Sequence, residues 1–403
     1  MFIKNIKSRS LIKISLIFLL ALSIYPAYPQ QIPWGEMKLK SPDYNENDST
    51  VILRIEAPHA KNVMVDGDFT KGHPLPLHQH TNGIWSVNIG KIPSDLYTYH
   101  FIVDGVKVND PSNAYVVRDN NILENIVIIP GEKGSRYEVS DVPHGSVTTT
   151  WYESAKLGSP RRLVIYTPTG YEKDPDKRFP VLYLLHGLGG DETSWSGKGR
   201  ISQILDNLIA SGSVEPMIVV MPNGNSPQQA APGENREGMF VQPTSKLPFE
   251  GGAFESSFPE IVSFIDSNYR TLSDKAHRAI AGLSMGGMHS RAISMNNPGM
   301  FDYVALFSPA IDPMFGDVHS IYDHKQHKLQ EQYRQSPTLY WIGIGKNDFL
   351  YDVNTANRAL MDSLGLKYDY HESGGGHTWS NWRDYLCIIL PKLFNKKVNI
   401  HSK

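Results

Sequence analysis

A doubly wound α/β sheet preceded by a small all-β sandwich is the architecture this sequence predicts, on three observations. Between Ser49 and Ile129, short alternating apolar runs succeed one another at turn signals, without helical spacing between them. From Arg162 onward the pattern becomes continuous apolar runs separated by helical stretches, which suits parallel strands buried on both faces. Between the two lies a polar, turn-rich stretch from Pro130-Gly131 to His144-Gly145, where a domain boundary fits. A chain of 403 residues is long enough for both cores.

The N-terminal stretch is expected to lie outside the fold. Lys4, Lys7, Arg9 and Lys13 form a basic region, Ile14 to Ile24 an apolar one too short to span a bilayer, and Pro26-Ala27-Tyr28-Pro29-Gln30 follows. This pattern reads as a secretory signal peptide cut near Ala27 to Gln30, giving a secreted or periplasmic bacterial protein with no membrane span in the mature chain. The single cysteine, Cys387, sits in an apolar helical run and cannot form an intramolecular disulfide, so stability must come from the cores. A formal net charge of −2 gives no electrostatic reason to expect nucleic acid as a partner. The oligomeric state is not legible.

In the β-rich part, Val51 to Glu56 alternates, Asn62 to Gly67 ends in a turn signal, and Gly83 to Val87 follows Thr81-Asn82. Leu96 to Val103 runs into Asp104-Gly105, a hairpin signal, and Val106-Lys107-Val108 returns. Beyond the boundary, Arg162 to Pro168, Phe179 to Leu185, Met217 to Pro222, Tyr303 to Ser308 and Leu339 to Gly345 read as strands. Helices are expected over Ile201 to Ile209, Phe258 to Tyr269 and from about Asn381. The expected division is a signal peptide over 1–29, a sandwich over 30–130, a linker over 131–146 and an α/β domain over 147–398.

One stretch organises the second domain. Gly282-Leu283-Ser284-Met285-Gly286 follows the apolar run Ala279-Ile280-Ala281 and precedes Met288, Ala292 and Met295 at helical spacing. Strand, sharp turn and helix make the G-x-S-x-G a nucleophile elbow, with Ser284 at a helix N-terminus and the Met285 amide free to meet an oxyanion. An acid and a histidine are then expected at the carboxyl ends of later strands. Asp348 follows the strand ending at Gly345, with Asp352 in reserve, and His377 stands on the glycine turn Gly374-Gly375-Gly376. The order Ser284, Asp348, His377 is that of α/β-hydrolases. A serine hydroxyl needs a neutral imidazole to take its proton and a carboxylate to fix that imidazole's tautomer. The second oxyanion donor is expected in Leu185-His186-Gly187-Leu188-Gly189-Gly190, with Leu188 the choice, Gly189 the alternative and His186 structural.

Two resemblances accompany these residues. Ala57-Pro58, Val63-Met64-Val65, Gly67-Asp68-Phe69, Gly83-Ile84-Trp85, Tyr97 to Phe101, Val103-Asp104-Gly105 and Asp110-Pro111 resemble the early-set immunoglobulin-like module of isoamylase-type and branching enzymes, found also before some esterases. Pro180 to Gly187, Trp195, Met221-Pro222-Asn223-Gly224, Tyr269-Arg270, Ala281 to Gly287 and Gly376 to Trp382 resemble the esterase-D superfamily. Within it they are similar to secreted feruloyl and acetylxylan esterases. That resemblance implies a serine esterase acting on esterified xylan, feruloyl first and acetyl second, without metal or organic cofactor. A siderophore-trilactone esterase is the rival, and a glycan-binding protein with a decayed hydrolase domain is the alternative of another class.

Several features bear on substrate. Trp195, Trp379 and Trp382 lie near catalytic motifs and would suit an aromatic wall for a phenolic acyl group or sugar ring, or else the core. Trp85, Tyr97, Tyr99 and Phe101 are candidates for a sugar-stacking platform or for a split between core and surface. Asn223 to Phe254 is a long loop that either covers the acyl pocket or is a surface insertion. His73, His78 and His80 share a proline-bearing loop whose loose spacing reads as solvated rather than metal-binding.

Overall fold

The computed structural model describes residues 39–119, 122–235, 251–313 and 320–395. The expected signal peptide, residues 236–250 of the long loop and the end of the expected α/β domain lie outside the described residues.

Ten strands form the first part: β1 (Asp43–Asn45), β2 (Thr50–Glu56), β3 (Val63–Gly67), β4 (Leu75–Pro76), β5 (His78–Gln79), β6 (Ile84–Lys91), β7 (Asp95–Val103), β8 (Val106–Val108), β9 (Val116–Asp119) and β10 (Ile122–Ile129). They make two antiparallel sheets, β1-β2-β6-β5 and β4-β3-β7-β10-β9, with β8 paired to β7. Period-two alternation explains the layering. Val51, Leu53 and Ile55 of β2 face the same core as Val63 and Val65 of β3, Tyr99 and Phe101 of β7, and Val127 and Ile129 of β10. Trp85, Tyr99 and Phe101 are buried there, so the stacking platform is not formed; an aromatic facing the opposite sheet serves packing. In the histidine loop, the His80 ring nitrogen Nε2 lies 2.7 Å from Ser86 Oγ.

The second part is an eight-stranded mixed sheet: β11 (Ser146–Ser154), β12 (Ser159–Thr167), β13 (Val181–Leu185), β14 (Ile218–Pro222), β15 (Arg278–Leu283), β16 (Tyr303–Phe307), β17 (Leu339–Gly345) and β18 (Asp369–Ser373). Its order is β11-β12-β14-β13-β15-β16-β17-β18, antiparallel where β11, β12 and β14 meet and parallel from β14 to β18. Alternate residues of the central strands serve opposite faces. Leu182 and Leu184 pack on α1 (Ile201–Ala210) and α6 (Trp379–Ile389). Val181, Tyr183 and Leu185 share a core with α2 (Ala253–Asn268), α3 (Met285–Asn296) and α5 (Tyr351–Ser363). The remaining helix, α4 (Lys325–Arg334), lies between β16 and β17 in the chain and packs on α3.

The two sheet systems are not beads on a string: from Ser41 onward the chain is one compact unit. The segment expected to be a linker is a packed strap. Its Tyr137 is fully buried in the core that also holds Leu96, Ile126 and Leu205. Tyr137 O accepts from Arg200 Nε at 2.9 Å, and the Gly145 amide donates to Asp206 Oδ1 at 2.9 Å. Charge pairs cross the seam as well. Arg383 Nη2 on α6 donates to Asp95 Oδ1 at 3.0 Å and to Leu96 O at 2.8 Å, while Lys198 Nζ meets Asp119 at 2.7 Å and Glu124 at 2.9 Å.

Candidate active site

The elbow is built by sterics. Ser284 has φ 53° and ψ −116°, a strained conformation for a residue with a side chain. It is held by its neighbours: the Ser284 amide donates to Phe307 O at 2.9 Å, and Ser284 O accepts from Met288 at 3.1 Å and Ala310 at 3.0 Å. A Cβ on Gly282 would stand 2.3 Å from Gly286 O, and one on Gly286 would stand 2.4 Å from His186 O. Both glycines are therefore required where strand and helix cross. Ser284 caps α3, so the Met285 amide belongs to the first turn and has no intrahelical acceptor.

Asp348 and His377 come from the ends of the last two strands. Asp348 follows β17; its amide donates to Gly345 O at 3.1 Å and its Oδ1 accepts from the Leu350 amide at 2.9 Å. His377 Nδ1 lies 3.0 Å and 2.9 Å from the two oxygens of Asp348. That contact puts the proton on Nδ1 and leaves Nε2 as the basic nitrogen. Burial raises the Asp348 carboxyl, but the His377 hydrogen bond, the Leu350 amide and the imidazole charge outweigh it and hold it below the ordinary carboxylate range. Asn381 fixes the glycine turn, its Nδ2 donating to Gly374 O at 3.0 Å and Gly376 O at 2.9 Å. Asp352, the reserve acid, is exposed on α5.

Ser284 and His377 open into one cavity of about 1040 Å³. Among the described residues no hydrogen bond joins Ser284 Oγ to the imidazole, a looseness common before substrate binds. Leu188, Trp379 and Trp382 line the cavity. The Trp382 ring stands edge-on to His377 at 4.9 Å. Trp195 does not line it: the side chain is buried, its Nε1 donates to Leu185 O at 3.0 Å, and its ring backs Trp379 at 5.2 Å. An indole with its N–H satisfied inside the core packs rather than binds. The opposite wall comes from the sandwich and strap, with Asp68, Tyr97 and Lys133. Sequence reasoning missed this wall, and the only trace of it was Tyr97 among the aromatics. Phe349, packed on His377 at 4.6 Å and 67% exposed, was missed too.

The family model named Esterase matches residues 154–393. The chain belongs to the Esterase family. A relative in Xylanibacter ruminicola named endo-1,4-beta-xylanase/feruloyl esterase is 34% identical over 348 residues, covering 85% of this chain and 44% of that protein. The esterase chain thus spans less than half of that relative's length. A solved ferulic acid esterase superposes with a TM-score of 0.51 at 27% identity, covering 62% of this chain and 99% of its own. The enterobactin esterase FES of Shigella flexneri superposes with a TM-score of 0.63 at 16% identity, covering 86% of this chain and 92% of its own, and so shares the fold alone. Family membership and the solved ferulic acid esterase agree with the α/β-hydrolase sheet described above.

Proposed function

We propose that this esterase removes feruloyl esters, and acetyl esters second, from xylan-type polysaccharide through an acyl-enzyme on Ser284. Nε2 of His377 takes the Ser284 proton as Oγ attacks the ester carbonyl, and Asp348 stabilises the imidazolium. The amides of Leu188 and Met285 receive the oxyanion, each worth about 2.7–4 kcal/mol in the transition state. Collapse breaks the ester C–O bond, and the His377 proton leaves with the sugar alcohol. Water, deprotonated by the same imidazole, then attacks the acyl-serine and releases the acid with Ser284 restored.

One observation carries the reading: the strained serine and the carboxylate-bound imidazole open into one cavity walled by Tyr97, Trp379 and Trp382. Its volume of about 1040 Å³ is at the top of the ~300–1,000 Å³ range of small-molecule sites, roomy for an acyl ring together with sugar units and oversized for acetyl alone. The name of the Xylanibacter relative supports the same substrate class. The motifs from Ala57 to Pro111 support an early-set immunoglobulin-like identity for the sandwich, and Lys4 to Gln30 support export, testable by N-terminal sequencing of the mature protein. A trilactone siderophore is the rival substrate, because the superfamily that the motifs from Pro180 to Trp382 resemble includes siderophore-trilactone esterases. Feruloyl, acetyl and catecholate esters assayed side by side separate the readings. Feruloylated xylan fragments are expected to turn over fastest, and Ser284→Ala to abolish release with the fold intact. Retained activity in that variant would refute the site.

A further inference from the structure

His186 is the residue after β13, 2% exposed, with both ring nitrogens engaged. The Gly224 amide donates to Nε2 at 2.8 Å. An amide can only donate, so Nε2 carries no proton and the ring proton sits on Nδ1. Nδ1 lies 2.8 Å from Gly187 O and donates to it, and the Gly190 amide donates to the same oxygen at 3.0 Å. Burial pushes the imidazole down to about 4, which keeps this neutral tautomer through the neutral range. Gly224 lies beside a second buried histidine: a Cβ there would be in van der Waals contact with His289 Nε2 at 3.4 Å, and His289 Nδ1 is 2.6 Å from buried Glu255.

The consequence falls on the far side of the Gly187–Leu188 peptide. In a trans peptide, C=O and N–H point in opposite directions. A Gly187 carbonyl turned to His186 therefore turns the Leu188 N–H away from it. Gly187, Leu188 and Ser284 all line the cavity, and a Cβ on Gly187 would stand 3.2 Å from Ser284 Cβ. Among the described residues no protein acceptor takes the Leu188 amide. Loss of the imidazole donor would leave the Gly187 carbonyl held by the Gly190 amide alone and weaken the hold on this peptide, whose turning over would present a carbonyl dipole where a donor is needed.

We infer that His186 is a positioning residue for ester hydrolysis: by donating from Nδ1 to the Gly187 carbonyl, it holds the Leu188 amide aimed at the developing oxyanion. The inference rests on the acyl-enzyme reading above. Two substitutions separate the two hydrogen bonds. Asparagine puts its amide nitrogen near the Nδ1 position, keeping the donor to Gly187 and losing the acceptor for Gly224. Glutamine reaches the Nε2 position, keeping that acceptor and losing the donor.

His186→Gln is expected to lower kcat on a feruloyl ester about tenfold to a hundredfold, with KM within about twofold, and to slow phosphonylation of Ser284 by a fluorophosphonate alike. His186→Asn should stay within about threefold of the parent on both measures, whatever the two variants lose in Tm. Equal losses in the two variants, or a loss confined to KM, would overturn the assignment. Imidazole spectra of the unsubstituted enzyme, 15N-labelled at histidine, give a readout independent of variant folding. They should show His186 as the neutral Nδ1–H tautomer, and an Nε2–H signal would overturn the inference. Activity surviving Ser284→Ala is a separate failure, that of the acyl-enzyme reading itself.

Discussion

His377 and His186 each follow a strand of the same sheet and each set Nδ1 against an oxygen, yet their surroundings fit them for different work. The His377 side chain is 18% exposed and bonded to a carboxylate that is itself fully buried. A proton arriving at Nε2 makes a cation whose counter-charge is already in place. His186 faces a neutral carbonyl instead, and a proton there would leave a buried charge and eject the Gly224 amide from its acceptor. Partner and burial, rather than residue type, separate the proposed base from the proposed strut.

The largest way to break this contrast is at the base. His377→Ala should lower kcat by on the order of 10⁵–10⁶ in steady-state assays, and a variant retaining a tenth of the activity would erase the distinction. Asp348→Asn comes next. Its amide would donate to Nδ1 and push the proton to Nε2, so a fall of about 10⁴ in kcat is expected with stability measured in parallel.

The strut logic extends across the seam. Arg383→Met takes from the buried Asp95 its counter-charge, a guanidinium 2% exposed, while leaving its bonds to the Leu96 amide and Ser380, and should cost about 3 kcal/mol in urea unfolding. An unchanged midpoint would show that the sandwich docks by other means.

The smallest effect is a pH window. Because the His186 imidazole is depressed to about 4 in the fold, its contribution to stability is complete above the unfolded value of about 6.5. It drains away as pH falls from there through about 4. Comparing the pH dependence of Tm with that of His186→Asn isolates this term: the gap between the two should narrow over that window. A gap of constant size would mean that the ring does not titrate as its burial requires.

Much of the α/β part is legible because its central strands are apolar on both faces. The expected strand from Phe179 to Leu185 corresponds to β13, and Leu339 to Gly345 coincides with β17. The edge strands β11 and β18 escaped notice, since Ser-Val-Thr-Thr-Thr and Asp-Tyr-His-Glu-Ser carry the polar side chains of a solvated edge. Ser284 and Asp348 drew attention because each stands on a turn just past an apolar run, and His377 because it stands on the glycine turn Gly374-Gly375-Gly376 directly before the last helix. Trp195 could not be sorted from Trp379 and Trp382, because depth within a layer leaves no periodic mark. The sandwich wall was hidden for another reason: Asp95 and Arg383 are 288 residues apart, and no local pattern announces their meeting. Tyr137 reads as one aromatic in a polar linker, yet it is buried in the shared core.

The proposed acyl-enzyme chemistry stands on Ser284 as the nucleophile. Incubating the purified protein with a fluorophosphonate and mapping the adduct by peptide mass spectrometry tests it directly. A single adduct on Ser284, absent from Ser284→Ala, is the expected result. No adduct, or an adduct elsewhere while ester hydrolysis persists, would contradict it.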